Sequence, residues 1–323
     1  LDQALERARA THMWVHLHID QKHNAKGVRL AVRAALEQSH GPERICVTRG
    51  PGAPVVPIES DRLIVLEEER PSRIAGLEAA LGQAQEAGAQ WLMPCLIETA
   101  LTQHALASFT AHIFGLSNRP TPEIIYGDTR EQPKGPFGAA HRRYWLKPQW
   151  DPRMILSQDY VTAGCVLAVD QAASVLRASA SPKPHSLYEL VLKASEAGAV
   201  EHCPRVVAQT PMHAWCEPDP ERIAIVAAHV ADRAIVSPGP FGTARVQFGL
   251  PDTLPHVSVI IATRDRVDLL RTCVEGVLHS TDYPALDVTI ADNDSVEPET
   301  LAYMDEVSAD PRVQIVRWPY PFN

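Results

Sequence analysis

The chain has 323 residues, of which 45% are hydrophobic and 21% charged, as is typical of globular domains with an apolar core. Its formal net charge of −9 disfavours broad contacts with a nucleic-acid backbone, which require clustered Lys and Arg. No apolar run approaches the roughly 18 residues of a membrane-spanning helix. The length favours about two domains, and the opening LDQALERARA resembles a charged helix rather than a signal peptide.

The cysteines favour a cytoplasmic protein with reduced thiols. None belongs to a CxxC pair, and most lie in apolar stretches such as ICVT and GCVLAV. Thiols in such stretches are typical of core residues in a reducing compartment. The six are Cys46, Cys95, Cys165, Cys203, Cys216 and Cys273.

Short apolar runs alternate with amphipathic runs along the first two thirds of the chain, which predicts an α/β fold with a mostly parallel sheet and flanking helices. Strands are predicted at 13–19, 44–48, 63–66, 90–93, 123–126 and 206–209, and helices at 25–38, 72–87, 186–197 and 220–234; residues 163–169 form a further apolar stretch. Gly, Pro and charged residues at 129–143 predict a loop. The Pro- and Gly-rich stretch at 236–254 predicts a linker.

The strand–helix pattern restarts at Val257. Strands are predicted at 257–262, 286–292 and 313–316, with helices at 268–280 and 297–308. This alternation resembles that of 13–66 and predicts an internal repeat of one half-domain. A doubly wound domain usually has more strands, so the second copy is expected to be truncated. We therefore predict a first domain at 1–215, a linker with a short helix at 216–254, and the opening half of a second domain at 255–323.

Two polar clusters follow the first two strands of this second copy. The sequence TRDR, residues 263–266, follows VSVIIA, and DNDS, residues 292–295, follows VTIA. Ligands bind at the carboxyl ends of strands in open α/β sheets, and the helix N-termini that follow can face phosphates. The absence of a GxGxxG turn in this segment disfavours a nicotinamide-dependent oxidoreductase.

The stretch VSVIIATRDRVDLLRTCVEGVLHSTDYPALDVTIADNDS resembles the start of family-2 glycosyltransferases of the GT-A fold, especially rhamnosyltransferase-like and O-antigen biosynthesis enzymes. The family pattern is a strand, P-T-x-N/D-R, a Leu-rich helix, Y-P-x-x-E and V-D-N/D-G-S. Ala262 replaces the Pro of this pattern, Asp287 the Glu and Asp294 the Gly. The closing WPYPFN resembles a later segment of the same enzymes.

The resemblance implies a nucleotide pocket at the ends of these two strands. Thr263, Arg264 and Asp265 would line the pocket, while Asp292 and Asn293 would contact the base and ribose. Asp294 and Ser295 would complete the loop. An alternative, compatible role for Asp292 and Asp294 is to cap a turn and a helix.

Residues 11–215 resemble the same family more faintly. The similar segments are IIYGD, YWLKPQWDPRMILSQDYV, SLYELVLKASEAG and VEHCPRVV. Thr48 and Arg49 stand where the family has an Asp pair. Its metal-binding D-x-D falls near Pro94-Cys95-Leu96, which offers no carboxylate to a hard cation. We therefore expect a complete GT-A-like domain with degenerate chemistry.

Several polar residues remain as candidates in this first domain. Asp128 and Lys147 are possible cleft residues, and Trp150 either lines the cleft or packs in the core. Glu189 is a weak candidate for a catalytic base, with a helix-surface carboxylate as the alternative. Glu98 lies close to the D-x-D position and could substitute as a metal ligand. His16 and His18 alternate on one strand, for which packing is favoured over metal binding; no metal site is predicted.

By resemblance, the parent protein transfers a sugar from a nucleotide-diphosphate donor to a glycan or lipid-linked acceptor, in cell-surface polysaccharide synthesis. Mg²⁺ or Mn²⁺ in the full second domain would stabilise the leaving diphosphate. The D-x-D motif and the base of that domain are expected beyond Asn323, so we predict that this chain alone is inactive. Alternatively, the first domain is a non-catalytic scaffold that binds glycan or a partner protein. Peripheral association with the inner face of the membrane is a further expectation, and nucleic acid is not an expected partner.

Overall fold

The computed structural model describes residues 11–69, 72–116, 120–132, 143–178, 183–211 and 219–320. The chain divides into two compact units, Leu1–Phe248 and Gly249–Asn323. Helices and strands alternate in both units, which confirms the predicted α/β class. The N-terminal helix predicted within residues 1–10, Cys216 and most of the predicted loop at 129–143 lie outside the described residues.

The described strands of the first unit's main sheet are β1 Met13–Ile19, β2 Arg44–Arg49, β3 Leu63–Glu67, β4 Trp91–Cys95, β5 Ala100–Leu101, β6 Ile124–Gln132, β7 Tyr144–Trp145, β8 Cys165–Ala168 and β9 Val200–Pro211. Their order is β3-β2-β1-β4-β8-β6-β9-β5, with β7 paired to β6. Strands β1 to β4 are parallel, as is the β6–β9 pair. The short strand β8 is antiparallel to both of its neighbours. The sheet is therefore parallel on one side and mixed on the other.

Helices cover both faces of this sheet. They are α1 Ala25–Leu36, α2 Arg73–Glu86, α3 Ala105–Gly115, α4 Met154–Ser157, α5 Val169–Arg177 and α6 Leu187–Ser195. Helix α1 begins where the Asn24 side chain accepts a hydrogen bond from Gly27 N at 2.8 Å, because such a cap satisfies an otherwise unpaired amide. Its buried residues, Val28, Ala31, Val32 and Ala35, recur at helical spacing and form one apolar face.

The alternation of side chains along β1 divides the first unit's core into two layers. Val15 and Leu17 pack with α1 and α3 on one face, whereas Trp14 packs towards α2 and α5 on the other. All seven residues of β1 are buried, as expected for a central strand covered on both faces. His16 and His18 have the same parity as Trp14 and therefore lie on the α2 side.

The first unit also includes most of the segment assigned to the linker. It comprises α7 Pro220–Val230 and a hairpin of β10 Ala234–Pro238 and β11 Ala244–Phe248. Val226, Val230 and Ala244 are buried, and Ser157 Oγ donates to Ala244 O at 2.8 Å. The first compact unit consequently extends to Phe248 and does not end at the predicted residue 215, because apolar side chains within this Pro- and Gly-rich segment pack on its core.

The second unit contains β12 Val257–Thr263, α8 Val267–Ser280, β13 Leu286–Asp292, α9 Pro298–Val307 and β14 Val313–Arg317. Its strands are parallel in the order β12-β13-β14. The strands of the first copy, β1, β2 and β3, have the same sequential order, but no helix corresponding to α9 lies between β2 and β3. Leu270, Val274, Val288 and Ile290 belong to the core between the sheet and helices of the second unit.

Candidate functional site

The structure brings together the two polar clusters predicted in the second unit. Thr263 and Asp292 are register partners at the ends of β12 and β13. Asn293 N donates to Thr263 O at 2.8 Å just beyond the paired strands. We call this region, residues 263–266 and 292–295 with Arg317, the carboxyl edge. It forms because adjacent parallel strands end at the same side of the sheet.

Asp265 joins the two loops of the carboxyl edge. Its Oδ1 accepts hydrogen bonds from Val296 N at 2.8 Å and Glu297 N at 2.9 Å. Its own amide donates to Ser295 Oγ at 2.7 Å. The backbone donors of Glu297 and Val296 lower the pKa of Asp265 below its usual value, because they stabilise the charged carboxylate. Asp265 therefore orders the loops, while the neighbouring Arg264 is exposed.

Asp292 is fully buried and accepts hydrogen bonds that fix the loop and the arginine of the same edge. Its Oδ1 accepts from Ser295 N at 3.0 Å, and its Oδ2 accepts from Arg317 Nε at 3.1 Å. A second guanidinium nitrogen of Arg317 donates to Ser295 O at 3.0 Å. The Arg317 side chain is still 55% exposed, so the pair places a cation at the surface of the edge. Sequence reasoning missed Arg317, although a lone Arg directly after the VQIV strand was a usable signal.

The backbone of the carboxyl edge is strained. Asp265, Arg266 and Asp294 have φ values of +57°, +61° and +59°, which makes them three of the five non-glycine residues with positive φ in the described part of the chain. Such residues cluster at functional sites, where the surroundings must compensate their cost. Asp294 occupies the Gly position of the family pattern, and its left-handed backbone explains why Gly suits that position.

Two aromatic rings lie beside Asn293. With its amide nitrogen turned towards them, Asn293 donates to the carbonyl oxygens of Tyr320, at 3.0 Å, and Trp318, at 3.2 Å. The Trp318 and Tyr320 rings meet edge to face at 5.0 Å and are 58% and 61% exposed. The edge thus combines exposed charges, backbone groups and an aromatic surface.

The first unit contains a cavity of about 570 Å³ at the carboxyl ends of β1 and β4. Residues of β1, α2, β4, the turn before β8, the start of α6 and the end of β9 line it. This volume lies within the range of small-molecule sites, about 300–1,000 Å³. We call it the first-unit cavity.

A buried hydrogen-bond network lies beside this cavity and includes Thr48, one of the two residues predicted to stand at the family's Asp pair. Thr48 Oγ1 lies 2.9 Å from His16 Nε2 and 3.0 Å from His18 Nδ1. Burial lowers the pKa of His16 to about 3, assisted by the nearby His18, and burial also lowers the pKa of His18. Both imidazoles are therefore neutral near pH 7, and the network supplies hydrogen bonds rather than charge.

Glu98, the predicted substitute ligand, is already paired. Glu98 Oε1 lies 3.3 Å from His23 Nε2 and 3.8 Å from an Arg73 nitrogen. Across the described ranges no group of three His, Cys, Asp or Glu could hold a metal ion. The described residues thus do not provide the oxygen-rich ligand set that Mg²⁺ or Mn²⁺ requires.

Asp128 and Lys147, the predicted cleft residues, do come together. Asp128 Oδ1 accepts from Lys147 N and from His202 Nε2, both at 2.8 Å. Lys147 Nζ donates to Ala163 O at 2.6 Å, and burial lowers the pKa of Lys147 to about 8. Ala163 lines the first-unit cavity, so Lys147 supports the cavity wall from behind.

Glu189 and Trp150 occupy structural positions. Glu189 Oε2 accepts from His185 N at 2.6 Å, while Ser186 Oγ accepts from Glu189 N at 3.2 Å. Ser186 therefore caps α6, and Glu189 accepts from the amide one residue before the cap, which is a variant of the capping box. Glu189 also pairs with Lys193. The geometry favours the capping role over a catalytic base. Trp150 packs against the core beside Tyr160, with ring centroids 6.3 Å apart.

Burial of the cysteines follows the prediction for the first unit. Cys46, Cys95, Cys165 and Cys203 are free and buried, whereas Cys273 is free but exposed. Burial raises the pKa of the Cys46 thiol to about 12. No helix in the described part of the chain has the length and apolar composition needed to cross a membrane.

Comparison with known proteins agrees with the predicted resemblance. Residues 258–322 match the sequence model of Glycosyl transferase family 2. Over 241 residues the chain is 29% identical to the O-antigen biosynthesis protein RfbC of Myxococcus xanthus, which covers 70% of this chain and 18% of RfbC. The chain therefore spans less than a fifth of that relative. The predicted resemblance to family-2 glycosyltransferases of O-antigen biosynthesis is confirmed.

Solved glycosyltransferase structures show a distant likeness. Staphylococcus aureus TarS, residues 1–349 in complex with UDP, superposes with a TM-score of 0.45 at 11% identity, covering 68% of this chain and 65% of that one. The mannosyltransferase PcManGT of Pyrobaculum calidifontis, in complex with GDP-Man and Mn²⁺, gives a TM-score of 0.46 at 12% identity, covering 68% and 63%. Such scores do not by themselves assign a fold.

Proposed function

We propose that this chain is part of a family-2 glycosyltransferase that uses a nucleotide-sugar donor, and that the second unit binds the donor's nucleoside diphosphate at the carboxyl edge. The observation that carries the proposal is the pair of the buried Asp292 with the half-exposed Arg317, among three strained residues at the ends of parallel strands. The family match covers this segment. Strained residues held in place by surrounding hydrogen bonds are typical of functional loops.

The side chains at the carboxyl edge fall into two groups, those that order the loops and those that are exposed to a ligand. Asp265 and Asp292 accept internal hydrogen bonds and fix the loops. Arg264 and Asp294 are exposed and remain for contacts with the ligand, together with the half-exposed Arg317. Its guanidinium suits phosphate oxygens, because its N–H groups match them in pairs. Thr263 and Asn293 would complete the pocket on the base and ribose side.

A glycan or lipid-linked acceptor and a role in cell-surface polysaccharide synthesis are proposed from the likeness to RfbC. Cytoplasmic localisation, with action at the inner face of the membrane, would suit such an acceptor. Mg²⁺ or Mn²⁺ is proposed for the complete second domain, where it would neutralise the leaving diphosphate. Because the described residues lack a ligand set for it, no role is assigned to them in holding the cation.

We further propose that the first unit is a non-catalytic binding module. The specific observation is the neutral network of His16, His18 and Thr48. Thr48 occupies one of the two positions at which the resemblance implies an Asp pair. Neutral imidazoles and a hydroxyl carry no negative charge, whereas carboxylate oxygens are the ligands that suit Mg²⁺ and Mn²⁺. Sugar transfer by this chain alone is therefore not expected. Robust turnover of any nucleotide sugar in the presence of Mn²⁺ or Mg²⁺ would refute this part.

Calorimetric titration of the full chain with UDP, dTDP and GDP tests the nucleotide site. Asp292→Asn removes the charge that orients Arg317, and we expect binding to weaken about tenfold or more, since hydrogen bonds to charged groups contribute about 1.5–3 kcal/mol. Asp287→Asn is the matched control, because Asp287 lies on the same strand near its opposite end. Urea unfolding of both variants checks that each remains folded. Equal affinities for the two variants, or no binding of any nucleotide, would overturn the proposal.

A further inference from the structure

Two buried threonines line the first-unit cavity with hydroxyl groups that have no partner in the described structure. Thr99 and Thr210 line the cavity and are 7% and 3% exposed. Within the described ranges, neither side-chain hydroxyl has a hydrogen-bond partner. His18 also lines the cavity and uses Nδ1 for its bond to Thr48, which leaves Nε2 for a ligand. Neither hydroxyl oxygen is among the fully enclosed unpaired atoms of the described residues, so both are accessible from the cavity. Together with His18 Nε2 they can exchange hydrogen bonds with a ligand that carries hydroxyl groups.

The rest of the lining is mainly apolar. Leu77, Met93, Leu101 and Leu187 contribute aliphatic surface, and Trp145 contributes an indole ring. Sugar rings present C–H faces between their hydroxyls, and an aromatic ring can cover such a face. A pocket of this kind, largely apolar with a few placed polar groups, is typical of small-molecule sites.

The charge of the lining disfavours a nucleoside diphosphate. Arg73 is the sole Lys or Arg among the described lining residues, which also include the carboxylates of Asp159 and Glu221. Asp159 is held by its own turn, since it accepts from Val161 N and Thr162 N at 3.2 and 3.0 Å. A buried diphosphate would therefore lack compensating charge. A neutral ligand avoids that cost.

We propose that the first-unit cavity binds a neutral saccharide, through the hydroxyls of Thr99 and Thr210, the imidazole of His18 and the ring of Trp145, without a divalent cation. This inference rests on the proposed role of the first unit as a binding module and specifies its ligand. The cavity volume of about 570 Å³ accommodates a mono- or disaccharide.

The probes are the methyl glycosides of rhamnose, galactose and N-acetylglucosamine, titrated into the full chain. Saturation-transfer NMR detects binding, and calorimetry or NMR titration gives the affinity. We expect at least one glycoside to bind equally well with and without EDTA. Thr210→Val removes one hydroxyl at constant shape and should weaken binding about three- to tenfold. Trp145→Ala should weaken it about tenfold through the lost apolar contact.

Matched controls separate ligand contact from general damage. Thr110→Val also removes a buried hydroxyl without a partner in the described structure, but on α3 away from the cavity. Tyr144→Ala truncates the exposed aromatic neighbour of Trp145. Both should leave the saccharide affinity unchanged. The proposal is overturned if no glycoside binds, if the controls weaken binding as much as the cavity variants, or if binding requires Mn²⁺.

The same variants distinguish this inference from the nucleotide proposal. Thr210→Val should leave UDP, dTDP and GDP binding unchanged, whereas Asp292→Asn should leave glycoside binding unchanged. If the unsubstituted chain binds a glycoside but no nucleotide, the second-unit site is contradicted. If it binds a nucleotide but no glycoside, the cavity site is contradicted. UDP binding that disappears in Thr210→Val would show that the cavity takes a nucleotide and would refute the neutral ligand.

Discussion

Two glycines on helix α2 should respond in opposite directions to the same substitution. A Cβ at Gly76 would lie 2.4 Å from Thr48 Oγ1 and 2.6 Å from His18 Nδ1, whereas a Cβ at Gly82 would meet no atom within 4 Å. Gly76 therefore allows α2 to approach the histidine–threonine network. Gly82 carries no such constraint, although both positions lie in one helix.

The expected magnitudes follow from these contacts. Gly82→Ala should stabilise the protein by about 0.5–1 kcal/mol, the usual gain of Ala over Gly inside a helix. Gly76→Ala has the same helical gain, but overpacking costs about 1–3 kcal/mol and a displaced hydrogen bond about 1 kcal/mol. The net result is a loss of about 1–3 kcal/mol, because Thr48 and His18 are buried and cannot move into solvent.

Urea unfolding followed by far-UV circular dichroism measures both changes in free energy. The Gly82→Ala variant serves as the internal control for helix propensity. If Gly76→Ala proved as stable as Gly82→Ala, the close packing of α2 on the network would be refuted. Glycoside titration of Gly76→Ala would additionally report whether displacement of His18 disturbs the first-unit cavity.

Three further predictions concern titration, backbone strain and capping. The unfolded chain protonates His16 near pH 6.5 but the folded chain only near pH 3, so stability should fall as the pH drops through this window. Between pH 6.5 and 4.5 the loss is about 2–3 kcal/mol at about 1.4 kcal/mol per pH unit, and urea unfolding should show a weaker pH dependence for His16→Gln. Asp294→Gly should stabilise the second unit by about 1 kcal/mol, since Gly accepts positive φ without strain; an unchanged or lower melting temperature would contradict this. Asp219 caps α7 by accepting from Glu221 N and Arg222 N, so Asp219→Ala should lower the free energy of unfolding by about 1 kcal/mol, measured in urea. Ser72→Ala is the control and should be nearly neutral, because the Ser72 side chain makes no capping hydrogen bond at the start of α2.

The carboxyl edge shows how far local sequence can predict a site. The positions of Thr263 and Asp292 follow from two apolar strands that end in polar residues, and parallel strands necessarily end together. Arg317 was not predicted, because its bond to Asp292 crosses 25 positions and depends on the β13–β14 register. The internal roles of Asp265 and Asp292 likewise depend on which amides the folded loops direct at them.

The first-unit cavity could not be predicted from the sequence either, because it also depends on contacts between residues that are distant in the chain. Its unused hydroxyls, Thr99 and Thr210, come from distant parts of the chain, and their lack of partners is a property of packing alone. The predicted cleft pair, Asp128 and Lys147, does meet, yet the structure places it in the supporting wall. The role of Glu189, in contrast, could be predicted from the local sequence, because Ser186 lies three residues before it, which is the spacing of a capping box.

By itself, the sequence determined the α/β class, most positions of the parallel strands β1 to β4 and β12 to β14, and the resemblance of residues 258–322 to family-2 glycosyltransferases. These features depend on periodicity and on motifs that are contiguous in the chain. Only the tertiary structure decided that β8 runs antiparallel, that residues 220–248 join the first core, and that His16, Thr48 and His18 form one neutral network. Each of these depends on contacts between residues far apart in sequence, which the packing of helices and strands selects and no local pattern records.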